Sequence, residues 1–249
     1  MGEKGEPIRI AMWSGPRNIS TALMRSWENR KDTVVIDEPL YGHYLAVSPY
    51  SPLHPGAEEI IAHSETDIQK VVNHLADDPL PDGKTIFYQK HISTHMLPTI
   101  SRDWLKNVTN CFLIREPALV VHSFSKVVPD MEVEQTGFIQ QMELFNKVLE
   151  LTGEIPIVID SKDVLNDPAG TLSKLCKAIG VPFDDNMLQW PAGKRDTDGI
   201  WAKYWYDSVE KSTCFATPKS EKLPVLESKY QSIVDKIQGI YDLLSKHKL

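Results

Sequence analysis

Short apolar runs alternate with stretches of helical spacing along most of this chain, and this alternation limits the fold more than any other feature. The runs are rich in β-branched residues and are too short to be buried helices. The predicted strands are residues 8–13, 33–36, 85–89, 109–114 and 155–159. Continuous apolar strands joined by helices predict a parallel sheet that is covered on both faces. The expected fold class is α/β, with three layers and a central, mainly parallel sheet of about five strands.

Helices are predicted between and after these strands, and one segment is predicted to be irregular. The predicted helices are residues 20–28, 57–76, 117–128, 137–151, 168–179 and 223–244. Residues 42–58 combine prolines with aromatic residues, which indicates a loop or lid. We expect a single domain over residues 1–249, with the core sheet and helices in 7–183 and a C-terminal lobe of loop and helix in 184–249.

The charge balance and the cysteines limit the classes of function. A net charge of −7 disfavours a nucleic-acid binder that depends on bulk positive charge, so any anion site needs locally concentrated basic groups. No stretch is apolar for long enough to predict a transmembrane helix, and the polar N-terminus lacks the apolar core of a signal peptide. Cys111, Cys176 and Cys214 are scattered and odd in number, which favours a reducing cytoplasm over a disulfide framework.

The segment between the first predicted strand and the first predicted helix lies where phosphate cradles form. Backbone N–H groups favour an anion there, and Arg17, Ser20 and Thr21 add a cation and two hydroxyls. A Walker A loop starting at Gly15 would have Gly-Lys-Ser/Thr at positions 20–22, whereas this chain has Ser-Thr-Ala. The loop therefore predicts binding of a phosphate or sulfate ester without ordinary Mg-nucleotide chemistry. The structural alternative is a turn in which Ser or Thr caps the helix.

Polar and charged residues follow each predicted strand, and the carboxyl ends of parallel strands are where ligands bind in such sheets. Arg115 follows the fourth strand, and Ser123 lies about two turns into the helix predicted after it. A guanidinium and a hydroxyl in this arrangement could hold a terminal phosphate. The alternatives are that strand ends are polar because they meet water, that Arg115 pairs with Glu116 at the surface, and that Ser123 is solvated.

These motifs resemble those of the sulfotransferase superfamily, whose sulfuryl donor is 3′-phosphoadenylyl sulfate. Residues 16–21 are similar to the 5′-phosphosulfate loop of that family, and Arg115-Glu-Pro followed by Ser123 is similar to its 3′-phosphate motif. Residues 159–183 resemble its late strand–helix stretch. The resemblance implies a P-loop NTPase-like fold and a transferase that moves a sulfuryl group by in-line displacement. The acceptor would be a hydroxyl or amine of a small molecule or carbohydrate.

The resemblance also assigns residues to the donor and to its product, adenosine 3′,5′-bisphosphate. The implied binding residues are Gly15, Pro16, Arg17, Asn18, Ser20, Thr21, Arg115, Ser123, Lys194 and Arg195. The last two rest on a looser similarity to the basic closing loop of the family. No metal, nucleic acid or membrane span is implied, and a homo-oligomer is left open.

Two positions depart from the family pattern. Ile19 stands where the loop usually has glycine, and a β-branched residue would be strained if that position needed a positive φ. Ser161 stands where cytosolic members often have a tyrosine against adenine. Trp13, Trp201 or Trp205 would then have to stack on the base instead.

In-line transfer needs a base for the acceptor and a positive group for the leaving oxygen. The resemblance places Arg17 over the leaving 5′-phosphate and implies two candidate bases. Glu38 is the first, because it resembles the glutamate of the carbohydrate-modifying and bacterial branches. His91 is the second, because Lys90-His91 resembles the Lys-Thr-His of cytosolic members with one residue missing. The structural alternatives are a paired strand-end carboxylate and a packing histidine. Weaker candidates are His43, His95 and His122.

Aromatic residues in two segments are expected to cover the acceptor site, which favours an apolar or ring-bearing acceptor or a sugar face. They are Tyr41, His43, Tyr44, Tyr50 and His54, and Met187, Trp190, Trp201, Tyr204 and Trp205. A cluster that caps the core is the alternative. Two other functions compete: a P-loop kinase or nucleotide hydrolase with a degenerate cradle, and a relative that binds the nucleotide without transferring a group.

Overall fold

The computed structural model describes residues 6–216 and 223–249, and a five-stranded sheet lies at its centre. The strands are β1 (Ile8–Ser14), β2 (Thr33–Asp37), β3 (Ile86–Ile92), β4 (Thr109–Ile114) and β5 (Ile157–Asp160), in the spatial order β2-β3-β1-β4-β5. Each neighbouring pair is parallel. The predicted α/β fold with a parallel sheet is confirmed. The polar N-terminal stretch begins in residues 1–5, which lie outside the described residues.

Helices connect the strands and cover both faces of the sheet. They are α1 (Ser20–Glu28), α2 (Tyr41–Val47), α3 (Ala57–Ala62), α4 (Ile68–Ala76), α5 (Pro117–Ser125), α6 (Phe138–Thr152), α7 (Ser161–Asn166), α8 (Pro168–Ile179), α9 (Ala202–Trp205), α10 (Asp207–Glu210) and α11 (Ser228–Ser245). Short 3₁₀ helices lie at Ser51–Leu53, Ser93–His95, Asp103–Asn107, Val133–Thr136 and Asp185–Leu188. Within the two described ranges, no helix is long and apolar enough to cross a bilayer.

The alternation of side chains along β1 divides the core into two layers. Ile10 and Met12 point to the side of the sheet that α1 and α8 cover. Ala11 and Trp13 point to the other side, which α4 and α6 cover. Because both faces are buried, the strand is apolar along its whole length rather than at every second residue.

The segment 42–58, predicted to be a loop or lid, contains regular structure. Most of α2 lies in it, and a 3₁₀ helix follows. Tyr41, Tyr44 and Leu45 are buried on one face of α2. This packing outweighs the signal of the prolines, which lie beyond the end of the helix.

Some predicted boundaries are also wrong: the last helix begins at Ser228 rather than at residue 223, and two further differences concern α4 and β3. The helix predicted over residues 57–76 is divided into α3 and α4, because Asp67 caps α4 by accepting hydrogen bonds from two N–H groups of its first turn. The third strand continues to Ile92, so that a lysine and a histidine predicted to follow it lie inside it. Hydrophobic patterning ends a strand too early when buried polar residues complete it.

Candidate active site

The carboxyl ends of β1, β2, β3 and β4 open into one cavity with a volume of about 510 Å³. Parallel strands end at the same edge, so the loops that follow them meet there. The predicted site residues that line this cavity are Pro16, Arg17, Asn18, Ser20, Thr21, Glu38, Arg115 and Ser123. The structure therefore brings together the loop after β1, the end of β2 and the connection from β4 to α5.

Close backbone packing holds the loop between β1 and α1. A Cβ atom on Gly15 would lie 2.6 Å from the carbonyl oxygen of Thr136, so a larger residue does not fit there without a shift of the backbone. The amide of Asn18 donates a hydrogen bond to the carbonyl oxygen of Leu113 at 3.0 Å, which ties the loop to β4. Arg17 has a φ of 56°, in the left-handed region that is uncommon for residues other than glycine.

The start of α1 is open to the cavity. Ile19 precedes the helix with a φ of −90°, and no side chain caps the helix, so the structural alternative of a Ser or Thr cap is wrong. The strain considered for Ile19 does not arise, since the left-handed residue of this loop is Arg17. Ser20 and Thr21 line the cavity, and their hydroxyls make no hydrogen bond to another described residue. These hydroxyls and the first N–H groups of α1 can therefore donate to an anion.

Two arginines that are distant in the sequence meet at this cavity. Nε of Arg17 donates a hydrogen bond to Oγ of Ser123 at 3.1 Å, and Nη1 of Arg115 donates to the carbonyl oxygen of Arg17 at 2.5 Å. Burial lowers the pKa of both guanidinium groups, and the charge of Arg17 lowers the pKa of Arg115 further, although Asp160 opposes this. Arginine nevertheless stays protonated in proteins. Neither forms a salt bridge with a carboxylate in the described part of the chain. The pair concentrates positive charge on the cavity, which favours an anion.

Glu38 lies at the end of β2 beside a buried ion pair. Nζ of Lys90 donates hydrogen bonds to Oδ1 of Asp37 at 2.8 Å, to Oη of Tyr206 at 2.8 Å, and to the Glu38 carboxylate. Oη of Tyr206 donates in turn to Oδ2 of Asp37 at 2.7 Å. The ammonium of Lys90 therefore uses all of its donors, and the carboxylates of Asp37 and Glu38 hold it in place.

Burial sets the direction of the pKa shifts in this network. It raises the pKa of Glu38; Lys90 lowers that pKa and Asp37 raises it, and the net pKa lies above the ordinary value. Burial lowers the pKa of Lys90, but the attraction of the two carboxylates outweighs it and raises that pKa well above the ordinary value. Lys90 thus stays protonated at neutral pH. Glu38 takes up a proton more readily than an exposed carboxylate, as a general base must.

His91 lies on the face of the sheet opposite the cavity. Adjacent residues of a strand point to opposite faces, so Lys90 faces the cavity whereas His91 faces the core beneath α4 and α6. Its ring stacks on Trp13 with 4.2 Å between the ring centroids. Burial, and then the charge of Lys90, lowers the pKa of His91 to about 3. His91 is outside the described lining of the cavity, so the structure gives it no path to an acceptor there.

Beyond Glu38 the cavity wall is aromatic. The rings of Tyr41 and His95 are stacked, with 4.5 Å between their centroids, and Oη of Tyr41 is hydrogen-bonded to Nδ1 of His54 at 2.7 Å. Nδ1 of His95 lies 3.9 Å from Oε2 of Glu38. Burial is the main cause that lowers the pKa of His54 and, more strongly, that of His95, so both rings are neutral at pH 7. Tyr44 packs against both histidines.

Only some of the residues that were predicted to cover the acceptor site line the cavity. The predicted aromatic residues that line it are Tyr41, Tyr44, Tyr50, His54 and Trp205. The others lie outside its described lining, and they are His43, Met187, Trp190, Trp201 and Tyr204. Among the three tryptophans considered for stacking on adenine, Trp205 lines the cavity, whereas Trp13 and Trp201 are buried in the core.

The structure does not bring Lys194 and Arg195 to the cavity lining that it describes. Lys194 is exposed. Nη2 of Arg195 donates a hydrogen bond to the carbonyl oxygen of Pro191 at 2.9 Å, and Nε of Arg195 lies 3.7 Å from Oε2 of Glu28. The loose similarity of this segment to a closing loop therefore has no counterpart in the geometry of the site.

Sequence reasoning missed part of the cavity. Thr94, Gln135 and Tyr206 line it and were not predicted. A charged residue inside a buried strand signals a nearby partner, and Lys90 carried that signal once the length of β3 was known. Tyr206 carried no local signal, because its role depends on how the C-terminal segment folds back over the sheet.

The family model for the sulfotransferase domain matches residues 8–239. The branched-chain-amino-acid aminotransferase-like protein 1 of Arabidopsis thaliana is 34% identical over 242 residues, which are 97% of this chain and 42% of that protein. This chain therefore spans less than half the length of that curated relative.

Two solved structures have a similar fold. The sulfotransferase domain from the curacin biosynthetic pathway gives a TM-score of 0.56 at 19% identity, over 93% of this chain and 98% of that one. A sulfotransferase from Alicyclobacillus acidocaldarius gives a TM-score of 0.52 at 11% identity, over 97% of each chain. At these identities the likeness concerns the fold alone.

Proposed function

This chain belongs to the sulfotransferase domain family. We propose that it is a transferase whose donor is 3′-phosphoadenylyl sulfate. The acceptor in this proposal is a hydroxyl or amine of a small molecule or carbohydrate. The contact between Arg17 and Ser123 carries the proposal, because it joins the two candidate phosphate sites in one cavity. A donor with a phosphosulfate at one end and a 3′-phosphate at the other needs two such sites at a fixed separation.

In the proposed complex the loop after β1 binds the 5′-phosphosulfate. The first N–H groups of α1 and the hydroxyls of Ser20 and Thr21 donate to its oxygens. Arg115 and Ser123 bind the 3′-phosphate, since a guanidinium offers a planar fork of donors that suits a phosphate. Arg17 contacts both Ser123 and Arg115, so it lies where the two proposed phosphate sites meet.

The proposed reaction is an in-line displacement at sulfur. The acceptor oxygen forms a bond to sulfur, the bond from sulfur to the bridging oxygen breaks, and its electron pair stays on the 5′-phosphate of adenosine 3′,5′-bisphosphate. Negative charge grows on that bridging oxygen, where the guanidinium of Arg17 stabilises it. As in phosphoryl transfer, positioning and electrostatic stabilisation supply most of the rate enhancement.

We propose Glu38 as the base that takes the proton of the acceptor. It lines the same cavity as Arg17, and burial raises its pKa toward the range in which a carboxylate serves as a base. Lys90 keeps Glu38 in place through a buried ion pair. Because Lys90 stays protonated, it is a positioning residue for Glu38 rather than a second base.

The wider setting is also a proposal. We propose one domain over the whole chain and a location in the cytoplasm. The proposed location rests on Cys111, Cys176 and Cys214, all of which are free thiols.

Calorimetric titration with adenosine 3′,5′-bisphosphate, against ATP with Mg²⁺, tests the donor. We expect tight binding of the bisphosphate and weak binding of ATP, because the second site recognises a 3′-phosphate. Incubation with 3′-phosphoadenylyl sulfate and a panel of acceptors should then give sulfated products at the same rate with or without EDTA. Mg²⁺-dependent turnover of ATP would contradict the proposal and favour a kinase. Binding without transfer to any acceptor would favour a non-catalytic relative.

A further inference from the structure

The aromatic wall beyond Glu38 is arranged to bind a neutral group. Tyr41, Tyr44, His54 and His95 form a contiguous cluster there through ring stacking and the hydrogen bond between Tyr41 and His54. Both imidazoles are uncharged at neutral pH because burial lowers their pKa values. This wall therefore offers ring faces and uncharged polar atoms to whatever binds beside Glu38.

The charges of the cavity are unevenly distributed. Among the described lining residues the cations are Arg17, Lys90 and Arg115; the two arginines contact each other at the loop after β1, and Lys90 is bound to carboxylates. The acidic side chains in the same set are Glu38 and Glu134. If the two arginines bind the donor as proposed, an acceptor with a carboxylate or phosphate would meet no further unpaired cation of the described wall and would face two acidic residues. Burying an unpaired charge in such a place is costly.

His95 supplies a second, independent observation. Its side chain is only 5% exposed, yet its ring makes no hydrogen bond to any described residue. It lines the cavity and lies next to the carboxylate of Glu38, at 3.9 Å from Nδ1 to Oε2. Buried polar groups in proteins nearly always have a partner, so an unpaired imidazole beside a proposed base indicates a ligand group.

From these observations we infer that the acceptor is an uncharged alcohol or phenol on an apolar frame, whose hydroxyl binds between Glu38 and His95. This inference rests on the proposed function and specifies its substrate class. The hydroxyl donates its proton to Glu38, His95 donates a hydrogen bond to the same oxygen, and the remaining lone pair attacks sulfur. The proton stays on Glu38 when the oxygen–sulfur bond has formed, and the leaving electron pair stays on the 5′-phosphate.

Three phenols with the same frame and different charge test the class: tyrosol (neutral), tyramine (cationic) and 4-hydroxyphenylacetate (anionic). With 3′-phosphoadenylyl sulfate as donor, we expect kcat/KM for tyrosol to exceed that for the acid by about a hundredfold and that for tyramine by a smaller factor. Equal rates for tyrosol and the acid, or a clear preference for tyramine, would overturn the inference. Absence of tyrosol turnover in a chain that binds adenosine 3′,5′-bisphosphate would overturn it as well and leave the donor proposal standing.

Two variants test the residues. His95→Leu should lower kcat/KM for tyrosol about tenfold or more through loss of one hydrogen bond, with unchanged affinity for adenosine 3′,5′-bisphosphate, and His95→Gln should recover part of the loss. Equal losses in both variants would indicate a packing role and overturn the assignment of His95. Tyr50→Arg adds a cation at the rim of the cavity and should raise the rate with 4-hydroxyphenylacetate relative to tyrosol. No change in that ratio would contradict the charge argument.

Discussion

Replacing Arg115 by methionine should remove most of the preference of the protein for adenosine 3′,5′-bisphosphate over adenosine 5′-monophosphate. These ligands differ only in the 3′-phosphate, which we propose binds Arg115 and Ser123. Methionine keeps much of the apolar stem of arginine and removes the donors. The comparison of two ligands on two proteins therefore isolates the contact between one guanidinium and one phosphate.

The expected magnitude follows from the hydrogen bonds of Arg115. One N–H group of its guanidinium already binds the carbonyl oxygen of Arg17, and two others suffice for a forked contact with a phosphate. Each charged hydrogen bond is worth about 1.5 kcal/mol or more, so the forked contact contributes about 3 kcal/mol. Loss of the forked contact should then lower the ratio of the two affinities about 150-fold. The contact of Ser123 with the 3′-phosphate should leave a few-fold preference for the bisphosphate in Arg115→Met.

Both ligands should also bind Arg115→Met somewhat more weakly than the wild type. The lost hydrogen bond to Arg17 frees a backbone held at a φ of 56°, and the resulting loop movement should cost about 1 kcal/mol for each ligand. Isothermal titration calorimetry measures all four affinities. Lys194→Met is the matched control, because it removes a cation that lies outside the described cavity lining, and its ratio should equal that of the wild type. An undiminished ratio in Arg115→Met would refute the assignment of the 3′-phosphate site.

Three further outcomes are expected. Glu38→Gln should lower kcat for sulfuryl transfer about a hundredfold without changing the affinity for adenosine 3′,5′-bisphosphate. The wild-type rate should fall as the pH drops through the raised pKa of Glu38, because only the ionised carboxylate accepts a proton. A rate independent of pH on the acid side would count against this base. Tyr206→Phe should lower the free energy of unfolding by about 2 kcal/mol, since it removes hydrogen bonds to Asp37 and Lys90. Urea denaturation measures this free energy, and an unchanged midpoint would contradict the prediction. Arg17→Gly should be about 1 kcal/mol more stable than Arg17→Ala, because glycine adopts a left-handed φ without a steric penalty. Equal urea midpoints for the two variants would exclude backbone strain at position 17.

The parts of the site that depend on local sequence could be predicted. A strand, a short loop and a helix with hydroxyls at its start form a cradle through neighbouring residues alone, and the segment from β1 to α1 has this form. Helical geometry likewise predicts that Ser123 lies two turns into α5. The hydrogen bond between the side chains of Arg17 and Ser123 is a tertiary contact. It could be expected because the carboxyl ends of parallel strands meet at one edge of the sheet.

The parts that depend on which way a side chain points could not be predicted. Once β3 is known to continue to Ile92, its alternation assigns Lys90 to the cavity and His91 to the core. A strand assumed to end before these residues leaves both of them in a loop, where either could reach a ligand. The choice between Glu38 and His91 as the base therefore depended on a strand boundary, which hydrophobic patterning locates poorly when the boundary residues are buried and polar.

The strain in this site is located at the residues proposed to act in the reaction. Among the described residues, Arg17 and Glu38 are the residues other than glycine with a positive φ, at 56° and 41°. A hydrogen bond fixes the backbone of each residue: Nη1 of Arg115 donates to the carbonyl oxygen of Arg17, and the N–H group of Glu38 donates to the carbonyl oxygen of Lys90 at 2.9 Å. Such conformations cost about 1 kcal/mol or more each and persist where the surrounding structure enforces them. The elements that enforce them here, β3 and the connection from β4 to α5, also contribute Lys90 and Arg115 to the cavity. The same contacts therefore aim Arg17 and Glu38 at one space, and a loop relaxed to ordinary φ values would point both side chains elsewhere.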